Sequence, residues 1–235
     1  MTETGKVREV NEDSVMTNNE QAHWAVADGM GGHLAGDIAS QMITNNLAPL
    51  SHKENLADFL EDIEDTLLGV NQNLFSLAQS RNSVIGSTIV GAVIHQGFIV
   101  IYWAGDSRAY VLRNNTLRQI TEDHTVVHEM LQNGQISAAE AKSHPDRNVI
   151  TRAVGSHPKL FVDFHMQQID ENDLYLICSD GIEKEIADEE LELILRPKTD
   201  IEETGKALLN ETLRRGARDN VSFILIKPVS ISNIT

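Results

Sequence analysis

Residues 85–120 read IGSTIVGAVIHQGFIVIYWAGDSRAYVLRNNTLRQI, a stretch rich in β-branched and aromatic residues that decides the fold class. Polar or glycine-containing turns of two or three residues divide it into apolar runs. We predict strands over Ser87–Ile94, Phe98–Trp103, Arg108–Leu112 and Leu117–Ile120. Successive strands joined by such short turns must be antiparallel, because a parallel pair needs a long crossover.

Helical periodicity appears on both sides of this β-rich stretch. Apolar residues from Leu56 to Leu77 recur at alternating steps of four and three, after the capping-box pattern Ser51-x-x-Glu54. Further helices are predicted over about 34–47, from Asp188 to before Pro197, and from the pattern Thr199-x-x-Glu202 to Gly216. Further strands are predicted over 22–27, Leu160–Ile169, Leu174–Cys178 and Val221–Lys227. Strands and helices without regular βαβ alternation predict an α+β fold, with helices covering one or two antiparallel sheets.

The chain contains no internal repeat and no linker, so we predict a single domain over residues 1–235. One segment stands apart from the rest. Residues 121–158 are polar and mostly helical, and they contain Pro145. A long excursion between two strands is typically functional, so we predict a flap or lid over 123–158.

The charge balance excludes several classes of function. The chain has 35 Asp and Glu against 19 Lys and Arg, a net charge of −16, whereas nucleic acids and anionic membranes attract excess Lys and Arg. The longest apolar run, Phe98–Ala104, is far shorter than the ~20 residues of a membrane helix. Cys178 is the single cysteine, and the N-terminus has no apolar signal segment. We therefore expect a cytoplasmic protein that binds neither nucleic acid nor membranes.

Four aspartates stand where an apolar strand meets a turn. They are Asp28, Asp106, Asp180 and Asp219, and the first three have a glycine neighbour. Strand ends of one sheet system can converge on a single rim, where four carboxylates repel one another unless a cation neutralises them. An all-oxygen cluster suits Mg²⁺ or Mn²⁺. The alternative is that Asp and Gly are simply good turn residues, which explains any one position better than it explains all four.

Eight short motifs are spread over residues 8–222. They are Arg8-x-x-Asn11-Glu12-Asp13, Val26-Ala27-Asp28-Gly29-Met30-Gly31-Gly32-His33, Gly86-Ser87-Thr88, Ala104-Gly105-Asp106-Ser107-Arg108, Ile120-Thr121-x-Asp123-His124, Thr151-Arg152-Ala153-Val154-Gly155, Ser179-Asp180-Gly181 and Asp219-Asn220-Val221-Ser222. Together and in this order they resemble the protein phosphatase 2C family, the metal-dependent PPM phosphatases, in its compact bacterial form. The resemblance covers nearly the whole chain, and eight ordered motifs are far more specific than any one of them.

The resemblance implies a four-layer α-β-β-α sandwich of two antiparallel sheets flanked by helices, which agrees with the α+β fold predicted above. It also implies a site for two Mn²⁺ or Mg²⁺ ions at the rim where the aspartates meet. In that site Asp28 would bridge both ions and the Gly29 carbonyl would bind one of them. Asp180 and Asp219 would bind the other ion.

The resemblance also assigns the chemistry. Asp13, with Glu12 beside it, would bind a metal or orient its water, and Arg8 would clamp the phosphate, since a planar guanidinium matches two phosphate oxygens. A hydroxide shared by two metal ions would attack phosphorus in line with the leaving oxygen. Many eukaryotic relatives have a histidine directly after the Asp-Gly pair, where this chain has Met30. The general acid is therefore either His33 or metal-bound water.

Lys184 marks a second departure from the family pattern. Bacterial members hold a third metal beneath the lid, for which Asp106 is the matching ligand. The acidic residue that commonly stands four positions after the Asp180 equivalent is here Lys184, flanked by Glu183 and Glu185. Lys184 would supply an internal cation, or the flanking acids would replace the missing ligand. We predict weaker binding at the third site than in relatives with Asp there.

The function implied is that of a serine/threonine phosphoprotein phosphatase. Its partners would be Ser/Thr-phosphorylated proteins, with a cognate bacterial kinase among the proteins it opposes, and we expect a monomer. Two alternatives remain open: a non-catalytic domain of the same fold that binds a phosphoprotein, and a phosphatase of small phosphomonoesters. The presence of Arg8, Asp28, Asp180 and Asp219 favours an enzyme over the first. Their presence does not distinguish a phosphoprotein phosphatase from a phosphatase of small phosphomonoesters, because the two use identical chemistry.

Overall fold

The computed structural model describes residues 1–31, 35–196 and 200–228, and its helices and strands lie in these ranges. The strands are β1 (Thr2–Glu3), β2 (Asp13–Asn18), β3 (His23–Gly31), β4 (Ile85–Ser87), β5 (Ile89–His95), β6 (Phe98–Ala104), β7 (Arg108–Arg113), β8 (Thr116–Gln119), β9 (Asp163–Gln168), β10 (Leu174–Cys178) and β11 (Val221–Ile226). The helices are α1 (Gly36–Leu47), α2 (Leu56–Arg81), α3 (Val126–Gln132), α4 (Ala138–Ser143), α5 (Asp188–Leu195) and α6 (Ile201–Arg215). No helix within these ranges is both long and apolar enough to cross a membrane.

The strands form two antiparallel sheets. One has the order β1-β11-β10-β7-β8, and the other has the order β2-β3-β5-β6-β9 with β4 beside β3. The hairpin turns at Gln96-Gly97 and Asn114-Asn115 adopt positive φ, as tight turns between paired strands require. The sequential strands β6 and β7 do not pair, although we expected it from their short connection. Gly105 has φ +126°, and the chain there crosses from one sheet to the other.

Apolar side chains alternate along the strands and fill three layers of core. Val90 and Ile101 of one sheet pack against Val111 and Tyr175 of the other, so the two sheets stack face to face. Helices α1 and α2 cover the outer face of the six-stranded sheet, and α5 and α6 cover that of the five-stranded sheet. The predicted four-layer α-β-β-α sandwich is confirmed.

Some element ends differ from the sequence prediction for physical reasons. Helix α2 begins at Leu56, because the Asn55 side chain accepts a hydrogen bond from the Ala57 amide, so the Ser51 capping box was wrong. The predicted strand Ser87–Ile94 is interrupted at Thr88, whose amide donates to the Asp28 carbonyl. Strand β2 was missed because its sequence DSVMTN alternates only weakly between apolar and polar. The residue that would open the second predicted capping box, Thr199, lies outside the described residues.

Helices α3 and α4 lie within the predicted flap and contact each other. The segment is connected to the sandwich at both ends. At its start the His124 amide donates a 3.0 Å hydrogen bond to the Gly105 carbonyl, and at its end Val154 pairs with Ser87. The predicted flap segment is therefore joined to the end of the sandwich at which β6 ends.

Candidate functional site

Aspartates of both sheets meet at one rim. Asp28 lies inside β3, because this strand continues to Gly31 and does not end at residue 27 as predicted. Asp13 begins β2 and lies opposite Asp28 of β3 in their pairing. Asp180 follows β10 and Asp219 precedes β11, two strands that pair in the other sheet. The Ser179 hydroxyl donates a 2.8 Å hydrogen bond to Asp13 Oδ2 and so joins the two sheets at this point. The pairing of the strands brings these aspartates together.

The interruption at Thr88 brings a further aspartate to the same rim. The Thr88 amide donates a 2.8 Å hydrogen bond to the Asp28 carbonyl, and its hydroxyl oxygen lies 2.7 Å from that of Ser107. Ser107 follows Asp106 in the crossover between β6 and β7. Thr88 therefore links the backbone at Asp28 to the loop that contains Asp106.

Two glycines allow the backbone to approach closely beside the aspartates. A Cβ atom at Gly29 would overlap the carbonyl oxygen of Gly36, and one at Gly181 would overlap that of Asn220. Any side chain at Gly181 would therefore push the Asp180 loop away from the segment that contains Asp219. Close packing at the rim explains the Asp-Gly pairs better than turn chemistry alone.

Burial makes the negative charges at this rim unfavourable. It is the main reason that the pKa of Asp13 is raised to about 6 and that of Asp106 to about 7, and the charge of Asp180 contributes to both increases. Burial also raises the pKa of Asp28 and of Asp180. Within the described part of the chain, one carboxylate oxygen each of Asp13, Asp106 and Asp180 is buried without a hydrogen-bond partner. A positive charge placed among these carboxylates would therefore be stabilised.

Asp219 differs from the others because two cationic side chains bind it. Arg8 Nε lies 2.9 Å from Asp219 Oδ1, and Arg8 Nη2 lies 3.0 Å from Oδ2. Lys184 Nζ lies 2.8 Å from the same Oδ2 and also contacts Asp180 Oδ2. Although burial opposes it, Lys184 and Arg8 together hold the pKa of Asp219 below its usual value.

The donor set at the rim fits hard divalent cations. Carboxylate oxygens are the ligands that Mg²⁺ and Mn²⁺ prefer, and the buried oxygens without partners could accept such an ion. Among residues 1–31, 35–196 and 200–228, no three acidic, histidine or cysteine side chains are already closed around one ion position. Two of the expected ligands, Asp180 and Asp219, instead bind the Lys184 ammonium.

A groove of about 840 Å³ separates the rim from the flap. Arg8, Asp106 and Asp219 border it on the side of the rim. The flap contributes apolar and basic side chains, among them Leu131 and Arg147. The groove is therefore bordered both by the rim and by residues of the predicted flap.

Arg108 connects the root of the flap to the Asp180 loop. Its guanidinium bonds the Asp123 carboxylate, with Nη2 2.6 Å from Oδ2, and it also contacts Glu183. Burial is the main reason that the pKa of Glu183 is raised to about 7, and Arg108 opposes that increase. Sequence reasoning placed Arg108 and Asp123 in motifs but gave them no role. The sequence feature that could have indicated a role for Arg108 is its position two residues after Asp106.

Two further residues that the sequence analysis singled out are Lys184 and His33. Of the two possibilities left open at residue 184, the geometry favours the internal cation: the Lys184 ammonium binds Asp180 and Asp219, because the Asp180–Lys184 turn points it at them. Weaker metal binding at the third site stays a prediction. His33 lies outside the described residues.

The Glu12 amide donates a 2.9 Å hydrogen bond to Asn220 Oδ1, a structural role for Asn220 that the sequence did not reveal.

Comparison with known proteins identifies relatives along nearly the whole chain. A sequence model described as "Protein phosphatase 2C" matches residues 4–221. The "Serine/threonine phosphatase stp" of Listeria monocytogenes is 37% identical over 235 residues, covering 96% of this chain and 93% of the relative. The family model covers the first seven motifs completely and the eighth as far as Val221.

Solved structures share the fold. PppA of Pseudomonas aeruginosa, described as a key regulatory component of T6SS, has a TM-score of 0.87 and 35% identity, covering 96% of this chain and 94% of that one. The catalytic domain of serine threonine protein phosphatase PstP, in complex with 2 manganese ions, has a TM-score of 0.86 and 31% identity, covering 98% of this chain and 96% of that one. The sequence match, the sandwich and the acidic rim agree, and the chain belongs to the protein phosphatase 2C family.

Proposed function

We propose that this protein hydrolyses phosphoserine and phosphothreonine in proteins, using two Mn²⁺ or Mg²⁺ ions with a weaker third. The observation that carries the proposal is the rim of buried aspartates with unpartnered oxygens, beside an arginine and a groove. Family membership supports the same conclusion, since the family is metal-dependent and its relatives are named serine/threonine phosphatases.

The ligands that we propose are those that the family resemblance implies, and their positions at the rim support them. Asp28 would bridge the two ions and the Gly29 carbonyl would bind one of them. Asp180 and Asp219 would bind the other, and Asp106 would contribute to a third site. Bound divalent ions would supply a hydroxide nucleophile at neutral pH and offset negative charge on the phosphate.

The chain's own residues would position the reactants. Asp13 accepts a hydrogen bond from Ser179, and its free Oδ1 is available to orient the attacking water. Arg8, half exposed beside Asp219, would bind two phosphate oxygens through its planar guanidinium. This contact balances charge on the phosphoryl group during the in-line displacement. We propose that the leaving oxygen takes its proton from His33 or from water held at the site.

The groove favours a protein substrate. It runs from Arg8 to the flap, so residues on either side of a phosphorylated Ser or Thr would lie against the flap helices. We propose that residues 123–158 of this single domain act as the flap that selects substrates. We further propose a cytoplasmic monomer that opposes a serine/threonine kinase.

The substrate class can be tested with the full chain. Phosphothreonine and phosphoserine peptides are compared with nucleoside monophosphates and sugar phosphates, in Mn²⁺, in Mg²⁺ and in EDTA. We expect kcat/KM at least about tenfold higher for the peptides, because only they fill the groove, and no turnover in EDTA. Faster turnover of the small esters would contradict the substrate class. Peptide binding without turnover in either metal would point to a non-catalytic binding domain.

A further inference from the structure

Lys184 is placed by local structure against two partly buried carboxylates. Its amide donates a 3.0 Å hydrogen bond to the Asp180 carbonyl, which closes a helical turn directly after Asp180. Residues four apart in such a turn lie on the same side. The side chain therefore returns to the rim, where Nζ lies 2.8 Å from Asp219 Oδ2 and contacts Asp180 Oδ2.

The two carboxylates that Lys184 joins are the pair proposed to bind one divalent ion. An ammonium has three donors and one positive charge, so it can relieve the repulsion between two neighbouring carboxylates as a bound cation does. The same two oxygens cannot bind Nζ and a divalent ion at once. Arg8 binds the other side of Asp219, so this carboxylate is fully paired by the chain's own cations.

The groove offers space for the Lys184 side chain when its ammonium is displaced. Its side chain is 30% exposed and borders the 840 Å³ groove. Rotation about its flexible four-carbon stem would carry the ammonium into that groove without moving the backbone. Exchange between the ammonium and an ion is therefore sterically possible in the folded protein.

We propose that the Lys184 ammonium is an internal counter-cation that occupies the ion position between Asp180 and Asp219 in the metal-free protein. It must be displaced before a divalent ion binds there. Lys184 thus stabilises the metal-free fold and lowers the apparent metal affinity. The inference rests on the proposed function, because that function assigns the two carboxylates to a metal.

The test measures binding of Mn²⁺ alone by calorimetry in the chelator-treated full chain. Lys184→Met and Lys184→Gln remove the competing charge and keep most of the side-chain volume. We expect each to bind Mn²⁺ at least tenfold more tightly, which is about 1.4 kcal/mol. The control Lys206→Met removes an exposed lysine paired with Glu202 on α6, and we expect its affinity to stay within about threefold of wild type.

Thermal denaturation supplies a second readout. In EDTA we expect both Lys184 variants to melt below wild type, since Asp180 and Asp219 lose their shared cation. Saturating Mn²⁺ should then raise their melting temperature by more than it raises that of wild type, because binding to the folded state is tighter. Lys206→Met should follow wild type in both conditions.

Equal or weaker Mn²⁺ binding by both Lys184 variants overturns the inference. So does a Mn²⁺-loaded crystal structure of the wild type in which Nζ still lies between the two carboxylates. If one variant does not fold, the other and the wild-type structure still decide. Failure of the proposed function gives a different result from failure of the inference alone. If the proposed function is wrong, the wild type neither binds Mn²⁺ nor hydrolyses phosphopeptides, and both the function and the inference are overturned. Failure of the inference alone leaves an active, metal-dependent wild type whose affinity Lys184 does not affect.

Discussion

The Arg8 side chain binds Asp219 in this structure, and we propose that it also binds the phosphate of the substrate. In this structure its guanidinium binds both oxygens of Asp219, at 2.9 and 3.0 Å. The same planar fork matches two oxygens of a phosphate. Ions bound to the aspartates would weaken the attraction of Asp219 for Arg8 and make the guanidinium available to the proposed substrate. We infer that the pair with Asp219 pre-positions Arg8 at the rim.

The change Arg8→Lys tests this role. Lysine keeps the charge but cannot form the paired hydrogen bonds, so we expect kcat/KM for a phosphopeptide to fall by about 10- to 100-fold. Steady-state kinetics in saturating Mn²⁺ measures the effect. Arg218→Lys is the matched control, since Arg218 borders the same groove and binds Glu185. A loss at Arg8 no larger than that at Arg218 would refute the phosphate clamp.

His23 sets a pH dependence of the fold that is independent of the metal site. The ring is fully buried, with Nε2 2.8 Å from the Tyr102 hydroxyl and its edge against the Phe59 ring. Burial lowers the pKa of His23 to about 4. An unfolded chain has a histidine pKa near 6.5 and so takes up a proton first. The stabilisation that neutral His23 provides is therefore complete above pH ~6.5 and is lost as the pH falls toward 4.

His23→Gln removes this titration while leaving a group that can bond Tyr102. Between pH 7 and pH 5 we expect the free energy of unfolding of the wild type to fall by about 2 kcal/mol more than that of the variant. Urea denaturation in EDTA at both pH values measures the difference. The control His157→Gln changes an exposed ring and should leave the pH dependence as in wild type. Parallel pH profiles for wild type and His23→Gln would contradict the prediction.

At the scale of elements, the site is made by loops that pack closely against each other. The loop after β10 lies against the segment before β11, and Gly181 is the point of closest approach. Asp180 and Asp219 belong to these two segments, so their separation depends on this contact. The identity of residue 181 therefore controls the geometry of the rim.

Gly181→Ala should separate the two segments, because its Cβ would overlap the Asn220 carbonyl oxygen. We expect a loss of about 1–3 kcal/mol in the free energy of unfolding and weaker Mn²⁺ binding. The matched control is Gly69→Ala in α2, where the new Cβ meets open space. That change should stabilise the protein by about 0.5–1 kcal/mol, since alanine favours a helix. Chemical denaturation and calorimetry of both variants would show the predicted contrast, and unchanged metal binding in Gly181→Ala would count against it.

The sequence predicts the elements better than it predicts their contacts. Strand β10 matches the prediction residue for residue, because Leu174–Cys178 is an apolar run bounded by turn residues. Strand β2 could not be found by alternation, yet it positions Asp13 opposite Asp28. The sequence did not reveal where the Lys184 side chain lies either. Its place between Asp180 and Asp219 depends on a turn and on the pairing of two strands that are distant in sequence.

For the whole molecule, the acidic residues responsible for the net charge of −16 fall into two groups. Most acidic residues lie on solvated surfaces, whereas Asp13, Asp28, Asp106, Asp180 and Asp219 are gathered at one rim. Two or three divalent ions would cancel a quarter or more of the total charge. The protein's overall field repels phosphate, so we infer that substrate is attracted locally by the ions and Arg8.

The central claim is that the aspartates at the rim bind the ions on which hydrolysis depends. The most direct measurement is phosphate release from a phosphothreonine peptide over a Mn²⁺ titration, for wild type, Asp180→Asn and the exposed control Asp65→Asn on α2. We predict that EDTA abolishes activity in all three, and that Asp180→Asn alone loses at least about 100-fold at the Mn²⁺ concentration that saturates wild type. Activity that survives EDTA, or an Asp180→Asn titration that superimposes on that of wild type, would contradict the account.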